Sequence, residues 1–187
     1  MSAKELCARD LSILNLIFDQ IKSESVDNDS KRPISDDVDC KDCDEGTSPQ
    51  VLAAKESEVQ GVNFTELGEF AAALEKFNAS IEIASLRPSA YNNRAQLYRF
   101  MDKDQLALDD LGKSIELAGE SYLLTKCRSL CQRGSIRRKY SNLDGAREDF
   151  NEAAQFGSKF ARQQLVELNP YAQLCNKMVT KILSDMN

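Results

Sequence analysis

One pattern of small and large residues occurs three times between residues 61 and 153, and it constrains the fold more than any other feature. Each copy opens with a small residue, at Gly61, Ala95 or Gly134. An alanine follows twelve residues later, then a large apolar residue after four more, then a small residue after another three. These followers are Ala73, Phe77 and Ser80; Ala107, Leu111 and Ser114; and Ala146, Phe150 and Ala153. Every position recurs after 34 residues and again after 39, which identifies an internal repeat.

A period of 34 residues with helical spacing inside each copy is typical of the tetratricopeptide repeat, a helix-turn-helix unit. Small residues are needed where two helices approach to about 8–10 Å between their axes, and large residues fill the remaining space. Turn-forming residues stand between the two helices of each copy, at Gly68, Asp102 and Asn142. The sequence therefore predicts an all-α solenoid of three repeats.

The three repeats are assigned to residues 48–157, at about 49–86, 88–119 and 121–157. Ser48 before Pro49 predicts a helix start, and Pro88 begins the second repeat in the same way. Five extra residues before Gly134 predict that the first helix of the third repeat, within 121–139, is extended by more than one turn.

Segments on both sides of the repeats are expected to be helical as well. The sequence of residues 158–168 indicates one further helix, and an apolar stripe from Tyr171 to Ile182 indicates another. Residues 158–187 are therefore expected to cap the solenoid, whose last unit needs a cover with one polar face. Residues 1–22 predict an amphipathic helix, which either caps the repeats or docks a partner. In all, about nine helices are expected.

Acidic residues are concentrated in residues 23–47, which are expected to form a mobile linker. Nine acidic and three basic residues lie between Glu24 and Glu45, so 3 − 9 = −6 equals the formal charge of the whole chain. Because the rest of the chain is balanced, its net charge gives no indication of a nucleic-acid partner.

Composition excludes several classes of enzyme. The 187 residues contain no His, which removes the commonest general base and a favoured zinc ligand. No phosphate-binding glycine loop or paired-carboxylate motif is present. No apolar run reaches the roughly 18–20 residues of a membrane span, and the N-terminus does not resemble a secretion signal. These observations favour a non-enzymatic, cytoplasmic protein with no membrane partner and no cofactor.

The six cysteines leave one alternative open. Cys40 and Cys43 have the C-x-x-C spacing of a redox pair or half of a metal site, and Cys127 and Cys131 lie four residues apart on a predicted helix. Aspartates beside the first pair raise the pKa of its thiols, and no third ligand motif is near. A thiol redox or metal-binding protein therefore remains the alternative to a binding module, and no metal site is expected.

Four stretches carry a resemblance to a known family. They are residues 90–96 (AYNNRAQ), 145–150 (GAREDF), 160–165 (FARQQL) and 168–172 (LNPYA). They resemble the animal family called tetratricopeptide repeat protein 36, over about residues 50–185. The resemblance implies three repeats, a cytoplasmic location, no catalysis and binding to the 70-kDa heat-shock chaperone.

In this architecture the first helix of each repeat lines a concave groove through repeat positions 2, 5, 6, 9 and 12. Counting Gly61, Ala95 and Gly134 as position 8, these positions hold Lys55, Glu58, Val59, Val62 and Thr65; Ser89, Asn92, Asn93, Gln96 and Arg99; and Arg128, Cys131, Gln132, Ser135 and Arg138. Amides can bind a peptide backbone, and arginines suit carboxylates. The predicted protein-binding residues are Lys55, Asn92, Asn93, Gln96, Arg99, Arg128, Gln132 and Arg138.

Chaperone-binding members of the wider superfamily hold a terminal carboxylate with residues from three successive repeats. These are Lys at position 5 and Asn at position 9 of the first, Asn at position 6 of the second, and Lys at position 2 and Arg at position 6 of the third. This chain has Glu58, Val62, Asn93, Arg128 and Gln132 there, so only Asn93 matches and Arg128 retains only the charge. Hydrogen bonds to charged groups contribute roughly 1.5–3 kcal/mol each, so the lost donors remove on the order of 5 kcal/mol. Glu58 is expected to add repulsion, partly offset by Lys55. Chaperone binding is therefore expected to be independent of the acidic tail.

Three functions remain open from the sequence. The first is an adaptor whose groove holds a segment of the 70-kDa chaperone or a client. The second is a scaffold that stabilises a metabolic enzyme or other client, or a repeat protein whose N-terminal helix fills its own groove. The third is the thiol protein that uses Cys40 and Cys43.

Overall fold

The computed structural model describes Asp42, residues 48–169 and the single residues Tyr171, Leu174 and Met178. Its helices are α1 (Pro49–Glu66), α2 (Phe70–Ile83), α3 (Pro88–Phe100), α4 (Asp104–Ala118), α5 (Leu123–Lys139), α6 (Leu143–Gln155) and α7 (Lys159–Glu167). The predicted all-α repeat solenoid is confirmed. The predicted N-terminal helix, Cys40 and Cys43, and most of the final predicted helix lie outside the described residues.

Helices pair within each repeat through turns of three residues, which join α1 to α2, α3 to α4 and α5 to α6. The middle of each turn has a positive φ, of 79° at Gly68, 55° at Asp102 and 60° at Ser141. The following residue donates its backbone N–H to a carbonyl five residues earlier, at 2.8–2.9 Å in all three turns. This contact satisfies a carbonyl at the helix end. Asn142, expected in the third turn, accepts from Gly145 N and so caps α6.

The repeated small residues allow aromatic rings to lie against a helix backbone. A Cβ atom added to Gly61 would lie 2.6 Å from Phe77 Cε1, and one added to Gly134 would lie 2.8 Å from Phe150 Cε1. The second repeat has Ala95 in this position, facing the smaller Leu111. All twelve signature residues are buried. The sequence pattern thus reflects a match between the size of the large side chain on the second helix and the space beside the small residue on the first helix.

Ion pairs also recur between the two helices of a repeat. Arg94 on α3 binds Asp110 on α4 through two hydrogen bonds of 2.7 Å. Thirty-nine residues later Arg133 binds Asp149, with a shortest distance of 2.7 Å. Asp149 is buried and also pairs with Arg137 at 3.0 Å. This second pattern was present in the sequence at the 39-residue interval, whereas 34 residues before Arg94 and Asp110 the chain has Gln60 and Lys76.

First helices of neighbouring repeats contact each other directly, α1 with α3 and α3 with α5, whereas second helices of neighbouring repeats pack together less. Closer spacing of the first helices places them on the inner side of the stack. As a result α1, α3 and α5 form the surface on which the groove residues were predicted.

The third repeat is followed by α7, which packs against α6. Ser158 caps α7 by accepting from Ala161 N, and Phe160 meets Phe150 edge to face at 6.0 Å. Cys127 and Cys131 lie in the same core cluster. Tyr171, Leu174 and Met178 are largely exposed. A cap formed by residues 158–187 therefore stays a prediction beyond α7.

Candidate protein-binding groove

A chain of polar contacts crosses the inner surface from α1 to α5. Glu58 accepts from Asn93 Nδ2 at 3.2 Å, and Asn93 Oδ1 accepts from Asn92 Nδ2 at 3.4 Å. Asn92 Oδ1 then accepts from Gln132 Nε2 at 3.0 Å. Gln132 Oε1 accepts in turn from Arg99 Nη1 at 3.4 Å. We call these residues, together with Gln96, the groove network.

Glu58 is the anionic end of the groove network. Its carboxylate accepts from Ser80 Oγ and Ser89 Oγ, both at 3.2 Å, and pairs with Arg87 at 3.3 Å. Glu58 is 7% exposed and Arg87 is 8% exposed. The repulsion expected from Glu58, which Lys55 was predicted to offset in part, is therefore reduced, because the buried Arg87 pairs with the Glu58 carboxylate. Arg87 was missed because it precedes the repeat positions that were counted as groove-lining.

The other end of the groove network consists of amide side chains around the buried guanidinium of Arg99. Arg99 donates to Gln96 Oε1 at 2.9 Å, and burial lowers the pKa of its guanidinium, an effect that the nearby Asp104 opposes. Gln96 Nε2 is enclosed and has no hydrogen-bond partner, which distinguishes it among the described side chains. An enclosed donor without a partner costs about 1–3 kcal/mol. Such a donor marks a place where an acceptor would be stabilising.

The remaining predicted residues lie at the sides and end of the groove. Lys55 is half-buried on α1, and Arg128 is half-buried near the start of α5. Arg138 is exposed at the far end of α5, where it binds Glu167 of α7 at 2.6 Å and also contacts Gln164. Arg138 is thus held by the chain itself. The structure joins Asn92, Asn93, Gln96, Arg99 and Gln132 in one network and pairs Arg138 with α7 instead.

A contact from the predicted linker reaches the start of α5. Asp42 Oδ1 accepts from Thr125 N at 3.0 Å, and Oδ2 accepts from Thr125 Oγ1 at 2.6 Å. Asp42 lies within the predicted linker, and the mobility of residues 23–47 stays a prediction. The first turn of α5 has N–H groups that need acceptors and no side-chain cap from its own N-cap residue. A carboxylate 83 residues away in sequence supplies the acceptor.

This arrangement has the chemistry to bind a polypeptide. Amides, hydroxyls and arginines can pair with the N–H, C=O and carboxylate groups of an extended chain. Among the described residues no three His, Cys, Asp or Glu side chains are grouped as metal ligands. Within the same residues, no helix combines the length and apolar character needed to cross a bilayer.

Comparisons with known proteins agree with this architecture. No family model matches the chain. The "Tetratricopeptide repeat protein 36 homolog" of Drosophila melanogaster is 42% identical over 181 residues, covering 97% of this chain and 96% of the relative. The human "Tetratricopeptide repeat protein 36" is 43% identical over 137 residues, covering 73% and 72%.

Solved structures share the fold at low sequence identity. The second tetratricopeptide domain of human RPAP3, in complex with the HSP70 peptide SGPTIEEVD, matches with a TM-score of 0.53 and 24% identity, covering 64% of this chain and 94% of that one. The first such domain of Spaghetti (RPAP3), bound to the HSP90 peptide SRMEEVD, matches with a TM-score of 0.56 and 19% identity, covering 63% and 91%.

Proposed function

Because this chain belongs to the tetratricopeptide repeat protein 36 family, we propose that it is a non-enzymatic adaptor whose inner groove holds a segment of a protein partner. The observation that carries the proposal is the groove network, in which amides and a buried arginine join α1, α3 and α5. Buried polar groups of this kind cost stability unless they are fully paired. A binding surface explains why polar groups occupy a place where apolar packing would be more stable.

The partner that we propose is the 70-kDa heat-shock chaperone, or a client presented with it. The family resemblance supports this choice, and so does the HSP70 peptide bound by a structural neighbour. Both proteins would meet in the cytoplasm. The groove network would orient the partner's backbone, while Arg128 would attract its acidic groups.

This binding does not depend on a terminal carboxylate. Asn93 is the one residue that matches the superfamily's carboxylate-binding positions, and its Nδ2 already donates to Glu58. A tail carboxylate would have to replace that contact. We therefore propose that the chaperone binds through a segment other than its acidic C-terminal tail.

Calorimetric titration of the purified chaperone tests both parts of the proposal. Full-length and tail-deleted chaperone are expected to bind equally, and Arg128→Glu in this chain is expected to weaken both by tenfold or more, about 1.4 kcal/mol. Arg147→Glu is the matched control, because Arg147 lies on α6 and pairs with Asp144 of the same helix. Micromolar binding of the isolated tail peptide, abolished by Asn93→Ala, would show that the carboxylate argument is wrong.

A dithiol-turnover assay tests the non-enzymatic part separately. We expect no rate above the uncatalysed background for the purified chain. A rate that disappears in Cys40→Ser would instead favour the thiol alternative.

A further inference from the structure

The side-chain amide of Gln96 differs from the other amides of the groove network in how its nitrogen is used. Asn92, Asn93 and Gln132 each donate through the amide nitrogen to a neighbouring side chain. Gln96 Oε1 accepts from Arg99 Nη1 at 2.9 Å, whereas Gln96 Nε2 is enclosed without a hydrogen-bond partner among the described residues. Because a guanidinium carries donors only, turning the amide over would lose the contact with Arg99. Gln96 Nε2 is therefore an open donor in the groove.

This donor lies where a bound segment could reach it. Gln96 is on α3, the middle one of the three inner helices, and its side chain is half-buried. The last torsion of a glutamine side chain is soft. A small rotation about it would therefore bring the amide N–H to the groove surface.

A single open donor suits an uncharged oxygen better than a carboxylate. A peptide carbonyl that leaves water can replace a lost hydrogen bond with one from Gln96, whereas the two oxygens of a carboxylate offer about four acceptor sites. Burying a charge without enough partners costs far more than burying a paired amide. The adjoining surface is apolar as well, because α1 has Val62 at the repeat position that Gln96 occupies on α3, and Val62 is 39% exposed. This part of the groove therefore favours an uncharged stretch of polypeptide.

We propose that Gln96 Nε2 is a recognition site for a main-chain carbonyl of the partner, so that the groove selects an extended, uncharged segment. This inference rests on the proposed function, because it names the class of segment that the same groove binds. Carbonyl groups inside a helix are already paired, so the segment must be extended to offer one. In the free chain the open donor costs stability, and the partner's oxygen removes that cost on binding.

Two glutamine-to-glutamate variants test whether the donor is unused in the free chain. Gln132→Glu removes a nitrogen that donates to Asn92 Oδ1, so its melting temperature is expected to fall by about 2–8 °C. Gln96→Glu removes a nitrogen without a partner and keeps the acceptor for Arg99, so its melting temperature is expected to stay the same or rise. Equal falls in the two variants would overturn the inference.

The probe for the acceptor is N,N-dimethylacetamide, which has a peptide-like carbonyl and no N–H group. The readout is the side-chain amide resonance of Gln96 in the isotope-labelled full chain, identified by its absence from Gln96→Glu. We expect N,N-dimethylacetamide to shift this resonance more than that of Gln105, which is exposed on α4, and acetate at the same concentration to have little effect. A larger shift with acetate would overturn the carbonyl assignment. No shift with either probe, as when water already occupies the donor, would overturn it too.

Titration with tail-deleted chaperone separates this inference from the proposed function. Gln96→Glu is expected to weaken binding about tenfold or more, because an acceptor oxygen would then face the partner's carbonyl. Gln105→Glu makes the same change at an exposed position and is the matched control; a similar loss there would overturn the inference. Should Gln96→Glu lose helical circular dichroism, Gln96→Met supplies the second comparison.

Two outcomes distinguish the carbonyl site from the adaptor function. Chaperone binding that is unchanged in Gln96→Glu would leave the adaptor function standing and refute the carbonyl site. A resonance shift with N,N-dimethylacetamide, without chaperone binding by the wild-type chain, would support the carbonyl site and refute the proposed partner.

Discussion

Gly134→Ala tests whether clearance between helix backbone and aromatic ring sets the repeat pattern. The added Cβ would lie 2.8 Å from Phe150 Cε1 and 2.9 Å from its Cζ, closer than side-chain atoms pack. Overpacking a core costs about 1–3 kcal/mol, while replacing a helical Gly by Ala gains up to about 1 kcal/mol. We expect a net loss of about 1–2 kcal/mol, which lowers the melting temperature by about 2–8 °C in a domain of this size.

Two further variants make the Gly134→Ala experiment decisive. Gly112→Ala is the matched control, because Gly112 lies in α4 and its added Cβ would meet nothing within 4 Å. It is expected to stabilise the protein by up to about 1 kcal/mol. Gly134→Ala combined with Phe150→Leu recreates the pairing of Ala95 with Leu111, so the double variant is expected to be more stable than the sum of the single changes predicts. Additive losses, measured by thermal and urea unfolding, would refute the clearance argument.

Three further predictions concern packing, turns and buried charge. Ala107→Trp is expected to loosen the stack by about 1–3 kcal/mol or more, because Ala107 is fully buried; an unchanged melting temperature would contradict the assigned register. Ser141→Gly is expected to stabilise the protein by up to about 1 kcal/mol in urea unfolding, because Ser141 has a φ of 60°, which is strained for any residue except glycine. Destabilisation would contradict the assignment of strain to this turn. Asp149→Ala is expected to cost about 3 kcal/mol of unfolding free energy, because it leaves Arg133 and Arg137 without a buried partner. Asp144→Ala removes an exposed carboxylate and should cost under about 1 kcal/mol. Equal losses would contradict the distinction between the buried and the exposed ion pair.

The repeat pattern was sufficient to predict the fold because it reflects contacts within each repeat. Gly61 and Phe77 meet across a three-residue turn, and the same pair of positions recurs at fixed intervals. Local signals also located the start of α1, where Ser48 accepts from Val51 N at 3.3 Å. Such features depend on residues close in sequence, which a pattern can reveal.

Contacts between distant segments were not accessible in this way. Nothing in the spacing of Asp42 indicated that it would cap α5, since its partner Thr125 belongs to the third repeat. The charge of Glu58 was misjudged for the same reason, because Arg87 pairs with it from the loop between repeats. In contrast, the ion pair of Arg133 with Asp149 could have been predicted, because both residues lie 39 positions after the paired Arg94 and Asp110. That pattern was overlooked because only small and apolar positions were aligned.

Site-specific photocrosslinking tests the central claim most directly, because it asks where on this chain the chaperone lies. One variant carries a photoreactive residue in place of Ser135 on the inner face of α5, and the other carries it in place of Glu116 on α4, whose side chain is 71% exposed. The account predicts a chaperone crosslink from position 135, retained with tail-deleted chaperone, and little or none from position 116. Equal crosslinking from the two positions, or loss of the crosslink when the tail is removed, would contradict it.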